Sequence, residues 1–105
     1  MKKTGLCVVF ITAPKGKEAY LLSELLLKRR LCACVNIIKG VDSFFWWKGK
    51  IDSAKESLMV IKTKQSLLPK LIKKVKAAHS YDVCEVIALP IIAGSKEYMD
   101  WVKSC

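Results

Sequence analysis

The chain has 105 residues, 52% of them hydrophobic, which is the length of one domain (residues 1–105) with material for a real core. Nineteen lysines and arginines against nine acids give a formal net charge of +10, yet much of the basic charge falls on helix ends and helix outer faces, so nucleic acid is not the expected partner. The longest wholly apolar run, Leu6 to Ile11, falls far short of the roughly 20 residues that span a bilayer. It is not led by the pattern of a secretory signal, and the expectation is a cytoplasmic protein.

In chain order, Leu6 to Ile11 is continuous and rich in β-branched residues, as in a central strand covered on both faces. Thr12 to Gly16 breaks it. Lys17 to Leu31 carries helix formers throughout, with Leu22, Leu25 and Leu26 at helical spacing. Lys28, Arg29 and Arg30 close that segment, where cations meet the negative end of a helix dipole.

Ala33 to Trp47 reads as a long strand with an irregularity at Gly40. Val35, Ile37, Val41, Phe45 and Trp47 share one parity, and Cys34, Ile38, Phe44 and Trp46 the other. Cys32 and Cys34, two apart in an extended segment, are expected on one face. Lys48 and Gly49 supply a turn, and Ile51 to Lys64 returns to complete a long hairpin. Ser66 is expected to cap a second amphipathic helix ending near Ala78, with Leu68, Leu71, Ile72 and Val75 on its apolar side and Pro69 in its first turn. Asp82 to Ile92 reads as the last strand, and Ser95 to Lys103 as a short helix burying Tyr98, Met99, Trp101 and Val102.

The order βαββαβ plus a helix predicts an α+β, ferredoxin-like split-βαβ sandwich. Right-handed crossovers favour strand order 4-1-3-2. Fifteen extended residues at about 3.3 Å each reach roughly 50 Å, whereas a globule of this length is about 30–35 Å across. The hairpin should therefore project as an arm. Adjacent strand residues face opposite ways, so no single core buries Phe44, Phe45, Trp46 and Trp47 together. Each ring offers roughly 150–250 Å², and another subunit is the economical cover. These four rings are the expected subunit interface.

Five cysteines, Cys7, Cys32, Cys34, Cys84 and Cys105, form no Cys-x-x-Cys and no disulfide framework. His79 is the single histidine and stands close in sequence to Cys84 and Glu85. Imidazole, thiolate and carboxylate are transition-metal donors whose softness favours copper or zinc over magnesium. Nucleophile elbows, P-loops and dinucleotide fingerprints are missing, and an enzyme is not expected.

Three segments, "ITAPKGKEA", "RLCACVNIIKGVDSFFWWKGKIDSAKESLMVIKT" and "HSYDVCEVIALPIIAGSKEYMDWV", together resemble the CutA family, the divalent-cation tolerance proteins, over nearly the whole chain. The resemblance implies a homotrimer joined by interlocking strands and binding of a divalent transition metal, notably copper, as cofactor. By motif, Cys34 is the family's recurrent cysteine and His79 its recurrent histidine, with Tyr81 and Glu85 at the polar positions that follow. The chain departs from the pattern at Lys39, Ser80 and Cys84, where prolines are usual, and at Ile11 and Ala78, where some members carry a cysteine and a second histidine. Cys84 offers a replacement thiol near His79, so the expected metal set is His79, Cys34, Cys84 and Glu85. The alternative implied by the architecture is a trimeric scaffold or signalling module, similar to PII proteins, that binds a protein or small molecule.

Overall fold

The computed structural model describes residues 1–105. Leu6–Pro14 forms β1, Glu18–Lys28 α1, Cys34–Trp47 β2 and Lys50–Lys64 β3. Leu68–Ala78 forms α2, Val86–Pro90 β4 and Lys96–Ser104 α3. The antiparallel sheet runs β2-β3-β1-β4, which is the expected order read from the opposite edge. The architecture is the α+β, ferredoxin-like one, with α3 appended.

Strand period explains where the core lies. Cys7, Val9, Ile11 and Ala13 alternate along β1 toward one face. There they are buried with Met59 and Ile61 of β3, Ala19, Leu22 and Leu26 of α1, and Leu71 and Val75 of α2. α3 covers the other face near Leu6, and its Val102 lies outside that cluster. Of the four residues expected to be buried on α3, Val102 alone is; Tyr98 and Trp101 are exposed and Met99 half-buried.

Several boundaries differ from expectation for identifiable reasons. α1 stops at Lys28 because Arg30 turns left-handed, φ 56°, and the Arg30 and Leu31 N–H groups bond back to the Leu27 and Leu26 carbonyls. This is a Schellman ending in which arginine holds the position that usually takes glycine. Ser66 caps no helix: Gln65–Leu67 makes a 3-10 turn that runs straight into α2, with Pro69 in the first turn as expected. Cys32 precedes β2 and is buried with the core, while Cys34, the first residue of β2, is half-buried with its thiol 3.3 Å from the Tyr98 hydroxyl.

β4 begins at Val86 rather than Asp82. The next β1 residue beyond the Ile11–Val86 pair is Thr12, and its carbonyl accepts a hydrogen bond from the His79 ring. The imidazole thus occupies a backbone group that a longer β4 would need.

The β2–β3 hairpin gives the molecule its long dimension, 44 Å against 26 and 23 Å. Lys48 and Gly49 both have positive φ, 51° and 77°, as a two-residue type I′ turn demands. Ile38 pairs with Leu58 and Val41 with Glu56, so β2 spends three steps where β3 spends two. This β-bulge carries Gly40 at φ 72° and confirms the expected irregularity. It also reverses the parity of everything beyond it. Val35 and Ile37 pair with the buried Ile61 and Met59, whereas Val41, Phe45 and Trp47 pair with Glu56, Asp52 and Lys50 and share their opposite face. The sequence expectation of one continuous face is corrected accordingly.

Candidate functional site

The segment from His79 to Glu85 joins α2 to β4, and its polar groups knit four elements together. His79 closes α2, its N–H bonding to the Val75 carbonyl at 2.8 Å, while its ring is fully buried. Ring Nε2 donates to the Thr12 carbonyl at 2.8 Å, and Nδ1 accepts the Tyr81 N–H at 3.0 Å. A carbonyl only accepts, so Nε2 carries the proton and these two bonds select the neutral tautomer. Glu18, at the start of α1, accepts the Ser80 N–H at 2.9 Å with the oxygen that lies 3.2 Å from Nδ1. A second proton on the imidazole would face that carboxylate.

Tyr81 packs against the His79 ring at 4.8 Å between centroids and donates its hydroxyl to Glu56 Oε2 at 2.9 Å. Burial first, then the Glu56 hydrogen bond and the charges of Glu56 and Glu18, push the phenol up to about 12. Glu56 comes from β3, at the root of the arm, and is itself buried. The Tyr81–Glu56 bond therefore ties the loop to the hairpin.

Between arm and loop lies an open cleft of about 900 Å³. Phe45, Trp47, Asp52 and Glu56 line it from the arm, and Asp82 and Glu85 from the loop. Four carboxylates and no lysine, arginine or histidine form its walls. The other ring pair is barer still: Phe44 is 75% and Trp46 73% exposed, against 39% for Phe45 and 50% for Trp47. All four rings are open to further cover, as strand parity required.

The four expected metal donors do not converge. Cys84 and Glu85 line the cleft, the His79 ring is buried with both nitrogens engaged, and Cys34 stands at the start of β2, 3.3 Å from the Tyr98 hydroxyl. No three His, Cys, Asp or Glu side chains of this chain gather where they could hold an ion. The residues of one chain do not fit the implied metal. Around Cys34 the hydrogen bond to its thiol, then burial and the nearby Cys34 and Cys105 charges, push the Tyr98 phenol up to about 12. Burial, reinforced by Cys34 and Cys105, pushes the Cys32 thiol up to about 12 and leaves it poorly reactive.

Sequence reading missed Asp52, Glu56 and Glu18. A visible signal existed for Glu56, a lone carboxylate at the edge of the apolar run from Leu58 to Ile61. Its partner Tyr81 is 25 residues away, a distance that no local pattern bridges.

Residues 7–105 match the family model of the CutA1 divalent ion tolerance protein. The divalent-cation tolerance protein CutA of Thermus thermophilus is 43% identical over 91% of this chain and 93% of its own length. The chloroplastic CutA 1 protein of Oryza sativa is 45% identical over 92% of this chain, which spans only about half (55%) of that longer relative. Among solved structures, rice CutA1 superposes with a TM-score of 0.92 at 44% identity, covering 94% of this chain and 91% of its own. The Thermus thermophilus protein gives 0.90 at 42% identity, covering 92% and 94%. With the fold, the arm and the His79 loop matched in one order, the chain belongs to the CutA1 divalent ion tolerance family.

Proposed function

We propose that this protein serves the tolerance of divalent cations as a cytoplasmic homotrimer, and that copper or a related transition ion meets donors supplied by more than one subunit. The observation that carries the reading is an incomplete donor set beside an uncovered arm. Cys34 and Cys84 are half-buried and Glu85 is exposed, yet one chain gathers no three ligands. The rings of Phe44 and Trp46 meanwhile stand bare. Covering such rings with a second copy removes apolar surface from water at roughly 25 cal/mol per Å², and the same contact brings donors of different copies toward each other. The names of the relatives, divalent-cation tolerance proteins, support the cation role. His79, with both nitrogens engaged, acts in this reading by shaping the loop that presents Cys84 and Glu85.

The experiment is sedimentation combined with copper titration of the purified protein. A trimer at micromolar concentration that binds copper saturably is the expected result, with affinity falling in Cys34→Ser and Cys84→Ser. The Phe44→Ala/Trp46→Ala variant should weaken assembly by tenfold or more, about 1.4 kcal/mol at the least, and lower copper affinity with it. A stable monomer would sink the assembly reading. A trimer indifferent to copper would leave the scaffold alternative.

A further inference from the structure

We propose that the outer face of the two-helix layer, α1 beside α2, is a peripheral docking surface for an anionic lipid membrane. The inference is separate from metal tolerance and does not require it. The layer lies across the sheet from α3 and holds none of the rings assigned to the subunit interface. Its first support is uncompensated charge. From Ser57 to Tyr81 the sequence has no acid. α2 carries Lys70, Lys73, Lys74 and Lys76, and none of them is in an ion pair. The two acids of α1 are both engaged: Glu18 accepts the Ser80 N–H beside His79, and Glu24 accepts from Lys28. The helices run antiparallel, tied at one end by the Glu18–Ser80 bond and at the other by the Thr63 hydroxyl on the Leu31 carbonyl at 2.7 Å. Exposed Arg29 and Arg30, which follow α1 and form no ion pair, therefore stand at the end where α2 begins and extend its lysines into one positive field.

The second support is independent of charge. α1 is apolar on both sides: Leu22 and Leu26 are buried and Leu25 half-buried, yet Leu21 is 63% and Leu27 42% exposed. A helix that is apolar all round is normally covered all round, and the core covers this one on a single side. By helical period Leu21 and Leu27 flank Glu24, the one acid on the outer side, which Lys28 neutralises. Tyr20 shares that side, and the Lys39 ammonium lies 5.2 Å from the centre of its ring, adding a cation on the flank away from α2. Leucines set among basic residues match an interfacial helix, whose apolar side chains enter the boundary of headgroups and acyl chains while its cations meet lipid phosphates.

The two supports together select the partner. Nucleic acid also answers to lysine, but its phosphates offer nothing to an exposed leucine. Stacking of bases needs open rings, and the only ring on this face, Tyr20, already has Lys39 over it. An anionic leaflet supplies a negative potential and an apolar layer beneath it. Both features of the helix layer are satisfied by that one surface.

The test is flotation of the assembled, chelator-treated protein with phosphatidylcholine vesicles, made with and without phosphatidylserine. Binding to the phosphatidylserine vesicles alone is expected, weakening as salt rises. Lys70→Gln/Lys73→Gln/Lys76→Gln, all at exposed positions, should weaken it about a hundredfold, and arginine at the same three positions should keep it. Leu21→Gln/Leu27→Gln should weaken it about tenfold at unchanged salt. Lys96→Gln on α3 should change nothing. An assembled protein that ignores phosphatidylserine, or that binds both kinds of vesicle equally, would overturn the proposal, as would unchanged affinity in the folded lysine or leucine variant. A DNA duplex that binds more tightly and strips the protein from the vesicles would reassign the face to nucleic acid. Copper titrated on the same samples keeps this reading separable from metal tolerance, since either property can fail alone.

Discussion

The hydrogen-bonded ladder of the β2–β3 hairpin is interrupted once, by the bulge at Lys39-Gly40, and its two ends live in different solvents. At the root, Met59 and Ile61 are wholly excluded from water, packed between β1 and the helices. At the tip, Phe44, Trp46 and Ile51 lie two-thirds or more exposed. Backbone pairing is the same in both halves, and what differs is whether anything covers the side chains. The root stabilises the chain, whereas the tip is apolar surface held out for another molecule. Pairing alone does not make a strand part of a core.

The contrast is sharpest under truncation. Met59→Ala should cost about 2–5 kcal/mol of unfolding free energy, the range for large-to-small changes in a closed core. Trp46→Ala should alter the same quantity in the dissociated chain by less than about 0.5 kcal/mol. Denaturant unfolding of both, at concentrations below assembly, checks the pair; equal losses would break the distinction between root and tip.

The junction between the halves answers to pH. The Tyr81 phenol is raised from 10 to about 12 in the fold, so the folded state holds that proton more tightly than the unfolded chain. The stabilisation is complete below pH 10 and disappears as pH climbs through about 12. Tyr98 and Cys32, both raised to about 12, act in the same direction. Unfolding measured from pH 8 to 12 should show stability falling above pH 9–10. Tyr81→Phe should flatten part of that fall, at a cost near neutrality of about 1–3 kcal/mol for the hydrogen bond taken from buried Glu56. An unaltered alkaline profile in Tyr81→Phe would remove Tyr81 from the account.

The turn at the tip answers to backbone conformation rather than to burial. Gly49 has φ 77°, with open space where a methyl group would sit, so Gly49→Ala meets backbone strain alone, about 1–2 kcal/mol. Thermal unfolding should register that loss, and a larger one would mean that the turn is packed in the assembly.

Much of the fold is legible in the chain because its signals are local. Apolar period marks β1, α1 and α2, and Lys48-Gly49 marks the turn. The misses occur where a remote group overrules the local pattern. Arg30 ends α1 with no glycine to announce it, and the His79 ring ends β4 by taking the Thr12 carbonyl. The site was less legible for the same reason. Cys84 and Glu85 are legible and do reach the cleft, but Asp52 and Glu56 arrive there from the arm, while Cys34 stays apart at the other end of β2, beside Tyr98. Sequence proximity of His79 to two further donors suggested a ligand set; the hydrogen bonds that consume both its nitrogens are contacts with β1 and the backbone, which such proximity does not show.

The extra residue at Lys39-Gly40 acts as a phase shift written into one strand. Downstream of it every side chain is half a period out of step with the strand's beginning, so Phe45 and Trp47 face the carboxylates while Phe44 and Trp46 face away. Deleting Lys39 would restore the phase and exchange the pairs without changing either ring in composition. What the arm offers on each side, rings beside acids or rings alone, is set by a single count rather than by the identity of the residues that display it.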